Sequence, residues 1–242
     1  MPESTFTNSL KGFFKKQKSP SPSPESNTSS KSPSIRNNAL FIEDPPLTPL
    51  ELHGYSKTTK NKILTLELGE EIRNMLPSRH QVSSNWELVY SLEQHGASLN
   101  TLYSNIKPST KYDKNGYLLV IKDQRGTILG SYTNEHFHPT DMKRFYGNGE
   151  CFLWKSKLID NKESGEKFIR FQAFPYTGLN DFIIYCTSKF LSLGGGDGHY
   201  GLWIDQELLH GVSDHSLTFG NEPLSSQGNK FSILGVEVWR IS

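Results

Sequence analysis

The stretch FSILGVEVWRI, residues 231–241, decides the fold class. Ile233, Val236, Val238 and Ile241 are apolar around Glu237 and Arg240, the pattern of a strand with one inward face. Working back along the chain, Tyr117 to Lys122 and Thr127 to Thr133 flank Asp123-Gln-Arg-Gly126, which is hairpin chemistry. Cys151 to Trp154, Phe168 to Phe174, Phe182 to Cys186, Tyr200 to Ile204 and Leu208 to Gly211 are further short β-branched and aromatic runs, with Gly in nearly every gap. Strands of this number and spacing predict an α+β, β-rich fold. Its expected form is two packed antiparallel sheets, a sandwich, with a few flanking helices.

Two helices precede the β-rich part. Thr65 to Leu76 has a capping Thr65, early carboxylates at Glu67, Glu70 and Glu71, and Pro77 beyond its end. Gly96-Ala-Ser98 opens a second, with Leu99, Leu102, Tyr103 and Ile106 on one face. Trp86 to Leu92 between them reads as a strand.

Residues 1–52 read as a disordered, basic, Ser/Pro-rich tail, and residues 53–242 as one folded domain. Ser19 to Ser34 is almost entirely Ser, Pro, Asn, Thr and charge, too polar to offset chain entropy by burial. Residues 1–38 carry six basic and two acidic side chains, a net of +4, and the remainder carries 20 basic and 23 acidic, a net of −3. Attraction to a membrane or polyanion therefore belongs to the tail, and the folded part is not a nucleic-acid binder. Phe6, Leu10, Phe13 and Phe14 would share a helix face near Lys11, Lys15, Lys16 and Lys18. Residues 6–18 are therefore a candidate for weak membrane-surface contact, the alternative being a frayed tail.

The catalytic motifs do not complete. Gly196-Asp-Gly198-His-Tyr-Gly201 matches a dinucleotide fingerprint, but Gly201-Leu-Trp-Ile204 runs on as a strand where a helix should open. His136-Phe-His138 is half a metal site at best, and no metal or cofactor is expected. Cys151 and Cys186 sit in runs that read as buried, where a thiol is inert, and they are expected to be free thiols. Glu93, Glu150, Asp197 and Glu222 each lie beside Gly or a turn. They are expected to hold loops; convergence as an acid/base set is the alternative.

LVYSLEQHGASLNTLYSN (88–105), GNGECFLWK (147–155), FPYTGLNDFIIYCTSKFLSLGGGDGHYGLWID (174–205), LLHGVSDHSLTFGNEPLS (208–225) and FSILGVEVWRI together resemble the TLDc domain of the oxidation-resistance proteins, in their compact fungal form. GGGDGHYGLWID followed by LLHG and FGNE is the specific part. The resemblance implies the same sandwich. It also implies a non-enzymatic, cytoplasmic binding module that protects against oxidative stress, binds the soluble sector of the vacuolar-type proton pump (V-ATPase) and regulates its assembly. The vacuolar membrane is a further implied location, and the basic tail adds a mitochondrial pool as an expectation. The alternative is a redox-active or peroxide-scavenging protein. Many members carry Cys where this chain has Ser216, which weakens direct scavenging. Candidate partner-binding residues are Gly196, Asp197, His199, Tyr200, Trp203, Asn221 and Glu222, with Tyr200 and Trp203 either anchors or core.

Overall fold

A computed structural model describes residues 46–110, 113–140, 144–160 and 167–242. The tail assignments up to residue 45, including the amphipathic stretch 6–18, lie outside the described residues.

The described chain contains β1 (Glu51–His53), α1 (Leu66–Arg73), α2 (Ser78–Gln81), β2 (Asn85–Ser91), α3 (Leu92–His95), α4 (Leu99–Asn105), β3 (Gly116–Asp123), β4 (Ile128–Thr133), β5 (Phe152–Asp160), β6 (Lys167–Pro175), β7 (Ile184–Cys186), β8 (Phe190–Leu193), β9 (Leu202–Asp205), β10 (His210–Val212) and β11 (Lys230–Ile241). The strands run in the order β6-β5-β4-β3-β11-β10-β9-β8-β7, with β2 also on β11 and β1 on β2. All these pairs are antiparallel except β1–β2, which is parallel.

β11 belongs to two sheets. Its first residues pair with β10, and the stretch from Ile233 onward pairs with β3. The register slips between Ile233 and Gly235, leaving Leu234 bulged and 55% exposed. One extra residue reverses the alternation. Phe231 and Ile233 therefore face the same core as Val236 and Val238, although one pair is odd-numbered and the other even.

That core lies between the sheets. It joins Leu119, Ile121, Leu129 and Leu153 on one side to Ile184, Leu191, Leu202 and Ile204 on the other. A second core covers the opposite face of β3, where Leu118, Val120, Trp154 and Trp239 meet Leu68 and Ile72 of α1. β3 is thus buried on both faces, which explains its unbroken apolar run YLLVI.

Local chemistry sets the helix starts. The Thr65 side chain accepts from Leu68 N, and Ser98 accepts from Thr101 N. Leu99, Leu102, Tyr103 and Ile106 are all buried, as their spacing predicts. The β3–β4 turn is held by Asp123, whose Oδ1 accepts from Arg125 N at 2.9 Å and Thr127 N at 2.8 Å.

Several elements differ from the sequence reading. Thr48 to Leu52, assigned to the tail by composition, join the fold. Leu50 is buried, and the Thr48 carbonyl accepts from the buried Arg73 guanidinium at 2.7 Å. β5 extends from Trp154 to Asp160 because its whole length pairs with β6. β8 was missed altogether: its four residues are too short to show a period, and pairing with both β7 and β9 creates it. Glu237, read as a solvent-facing position, is 1% exposed.

Candidate functional site

The edge of the smaller sheet presents an aromatic face. Along β7, β8 and β9, Ile184, Cys186, Leu191, Leu193, Leu202 and Ile204 point inward and are buried. Strand alternation turns the intervening residues outward. Those residues include Tyr185, Phe190 and Trp203, each only partly buried. Phe145, Phe182 and Tyr200 extend the row from neighbouring loops. The rings touch in sequence: Phe182–Phe145 at 4.7 Å between centroids, Phe145–Tyr185 at 5.3 Å, Tyr185–Phe190 at 5.6 Å, Phe190–Trp203 at 6.0 Å and Phe190–Tyr200 at 6.3 Å. Phe182 is 41% exposed. A contiguous aromatic strip of this kind is enriched at protein interfaces.

The Gly-rich loop shapes one end of the strip. A Cβ on Gly195 would lie 3.3 Å from Phe182 Cβ and 3.5 Å from the Phe145 ring. Gly196, Asp197 and Gly198 all have positive φ, and His199 N donates to Gly196 O at 3.0 Å. This is a tight turn leading into β9, as the sequence reading expects, and no helix N-terminus is present there for a pyrophosphate.

The candidate residues from the sequence separate into three groups. Tyr200 and Trp203 lie in the strip, and Gly196, Asp197 and His199 form the adjoining turn. His199 Nδ1 is 3.2 Å from Asp214 Oδ2, which ties this turn to the loop after β10. Asn221 has no access to a partner, being 0% exposed. Its amide donates to Asp214 O at 2.8 Å and accepts from the Ser216 hydroxyl at 2.7 Å, so it organises the loop. Glu222 sits elsewhere, paired with Lys155 at 2.8 Å. Phe145, Phe182, Tyr185 and Phe190 were not singled out from the sequence. Tyr185, set between inward Ile184 and Cys186, carried the only local signal.

The carboxylates beside turns do not converge. Glu93 accepts from Lys60 N at 2.8 Å and Asn61 N at 3.0 Å, and these bonds hold its pKa below the usual carboxylate range. Glu150 is gripped by both terminal nitrogens of Arg79, which lowers its pKa likewise. Asp197 lies in the Gly-rich turn and Glu222 beside Lys155. Glu93, Glu150 and Glu222 are loop ties.

Both cysteines are free and buried. Cys151 Sγ donates to Asn134 Oδ1 at 3.2 Å, and the Tyr146 hydroxyl donates to Cys186 Sγ at 3.2 Å. Burial pushes each thiol up to about 11. Ser216 is also buried. The His136 and His138 rings lie 4.8 Å apart, with His138 stacked on Tyr146 at 4.4 Å. Burial first, then His138 and Lys107, lowers the His136 pKa to about 4. Among the described residues, no cluster of three or more His, Cys, Asp or Glu is arranged to hold a metal.

Two packed antiparallel sheets with buried thiols and an outward aromatic strip define a class of β-rich domain. The TLDc domain family model matches residues 57–242, and the chain belongs to that family. Oxidation resistance protein 1 of Kluyveromyces lactis is 52% identical over 217 residues, covering 86% of each chain. The Saccharomyces cerevisiae protein of the same name is 50% identical over 220 residues, covering 83% of this chain and 81% of its own. That of Cyberlindnera jadinii is 58% identical over 184 residues, covering 74% of this chain and 99% of its own.

Proposed function

We propose that this chain is a non-enzymatic binding module that protects cells against oxidative damage by docking on the soluble sector of the V-ATPase and regulating its assembly. The protective role follows from TLDc membership and from relatives named for oxidation resistance. The observation that carries the binding role is the touching row of outward aromatic rings from Phe182 to Trp203. Large rigid rings supply contact area at low entropic cost, and alternation leaves them outward while the opposite side of the same strands forms core. The buried thiols argue against peroxide chemistry, because the reactive species is the thiolate and both are held neutral near pH 7. The module acts in the cytoplasm, at the vacuolar membrane where the pump resides.

The test is a titration of the full chain onto isolated V-ATPase, following ATP hydrolysis and release of the soluble sector together. Saturating release or inhibition near stoichiometry, lost in a Phe190→Ala/Trp203→Ala variant, supports the reading. No binding at micromolar concentration removes it.

A further inference from the structure

At the other end of the strand order from β7, the β5–β6 hairpin carries a cationic cavity that the docking role does not use. Its volume is about 310 Å3. Lys155 and Lys157 of β5 and Arg170 of β6 line it, together with one carboxylate, Glu222, and with Gln172, Thr127 and Ser226. Strand register explains the clustering. Lys157 pairs with Arg170 and Lys155 with Gln172, so alternate residues of both strands rise on one face.

Two features mark this as more than a solvated surface. First, Lys157 and Arg170 are like charges directly opposite across an antiparallel pair, an arrangement that destabilises a sheet. Both are exposed and neither forms an ion pair among the described residues, although Arg170 is near enough to the Glu222 carboxylate to help lower its pKa. Second, the site is pre-shaped around them. Lys155 is fixed by Glu222 at 2.8 Å and by the Pro223 carbonyl at 3.1 Å. The Thr127 and Ser226 hydroxyls are 2.6 Å apart at one end. Arg125 adds a further cation at that rim, donating to Ser226 O at 2.9 Å.

We infer that this cavity binds a phosphomonoester carried on a small polyhydroxyl frame. A phosphomonoester near neutral pH carries close to two negative charges, which match the unpaired Lys157 and Arg170. The guanidinium fork suits its oxygens. The Gln172 amide and the hydroxyl pair at Thr127 and Ser226 can meet hydroxyls of the frame. A long polyanion fits less well. The chain beyond residue 38 has a net charge of −3, so the cavity is a local positive site and not part of a broad basic track.

myo-Inositol 1-phosphate titrated into the full chain by calorimetry is the direct test. Binding should weaken as salt is raised, and a Lys157→Gln/Arg170→Gln variant should bind at least about tenfold more weakly. The variant should unfold no earlier than the parent without the probe, because it loses a like-charge pair. A parallel arm measures sedimentation with phosphatidylcholine vesicles containing phosphatidylinositol bisphosphate. Capture of the parent but not the variant by vesicles assigns the phosphate to a lipid headgroup. Variant-sensitive binding to the dissolved probe alone assigns it to a free phosphorylated polyol. Absence of binding in both arms overturns the inference. So does equal binding by the variant, which would place the attraction in the basic tail.

Discussion

The Tyr55 hydroxyl donates to Oε1 of Glu237 at 2.8 Å, joining the segment before α1 to the last strand. The same carboxylate accepts from Ile63 N at 2.9 Å, Leu64 N at 3.1 Å and Trp239 Nε1 at 3.1 Å. One buried side chain thus satisfies two backbone donors that enter the second core. Burial raises the Glu237 pKa, and the four hydrogen bonds oppose that rise. Replacing Glu237 by Gln substitutes a donor for one acceptor and leaves buried N–H groups facing it. Glu237→Gln should lower the unfolding free energy by about 1–3 kcal/mol, and Tyr55→Phe by about 1 kcal/mol, read from urea midpoints. Because the two share a network, the double variant should fall short of the sum.

Two glycines should respond differently to Ala. A Cβ on Gly130 would lie 1.8 Å from the Leu119 carbonyl oxygen, backbone that cannot retreat without breaking the β3–β4 pairing. Gly130→Ala should cost about 3 kcal/mol or more and reduce folded yield. Gly126 has φ +79° and nothing within 4 Å, so Gly126→Ala meets only backbone strain, about 1–2 kcal/mol. Equal effects in chemical denaturation would refute this division.

Acid should weaken the fold in a defined window. The His136 pKa falls to about 4 from an ordinary value of 6.5, because burial and neighbouring positive charge favour the neutral ring. The unfolded chain binds the proton first as pH drops. Stability from this group is therefore complete above pH 6.5 and is lost progressively down to about 4. The lowered pKa values of Glu93 and Glu150 act in the same direction below 4.5. A His136→Gln variant should show a shallower loss of stability across the His136 window, with the lower carboxylate part unchanged.

The thiols should resist labelling. Cys151 and Cys186 are buried, with pKa values raised from 9.0 to about 11. A neutral disulfide reagent at pH 8 should modify native protein only at its opening rate and unfolded protein at once. Fast stoichiometric labelling of native protein would revive the redox reading. Stability from the two neutral thiols is complete below pH 9 and is lost as pH rises toward 11, so alkaline unfolding should begin in that interval.

Anchor substitutions should separate binding from folding. Under the docking proposed above, Trp203→Ala should weaken association with the isolated V-ATPase soluble sector by about 2 kcal/mol, roughly thirtyfold in Kd. Its side chain is only partly buried, so cooperative urea unfolding should persist. An unchanged Kd would remove the aromatic strip from the interface.

Local rules carried much of the fold into the sequence. The α1 and α4 caps are single side chains bonding backbone three residues on, and the β3–β4 turn is held by one aspartate and a following glycine. Period-two alternation marked the last segment, β11, as a strand. Where the pattern failed, a non-local partner was responsible. Glu237 looked solvent-facing because its donors at Tyr55, Ile63 and Leu64 lie at least 173 residues away. Asn221 looked like a surface loop residue because its partners at Asp214 and Ser216 meet it only once the loop closes.

The sequence by itself determined the β-rich class, the starts of α1 and α4, the inert burial of the thiols and the family. Each of these depends on neighbours within a few residues or on a contiguous motif. Tertiary structure alone decided that β11 serves two sheets, that Phe145, Phe182, Tyr185, Phe190, Tyr200 and Trp203 form one surface, and that Lys157 stands opposite Arg170. Those relationships depend on which strands become neighbours. That choice is made by burying two cores together, a property of the whole chain and not of any one segment.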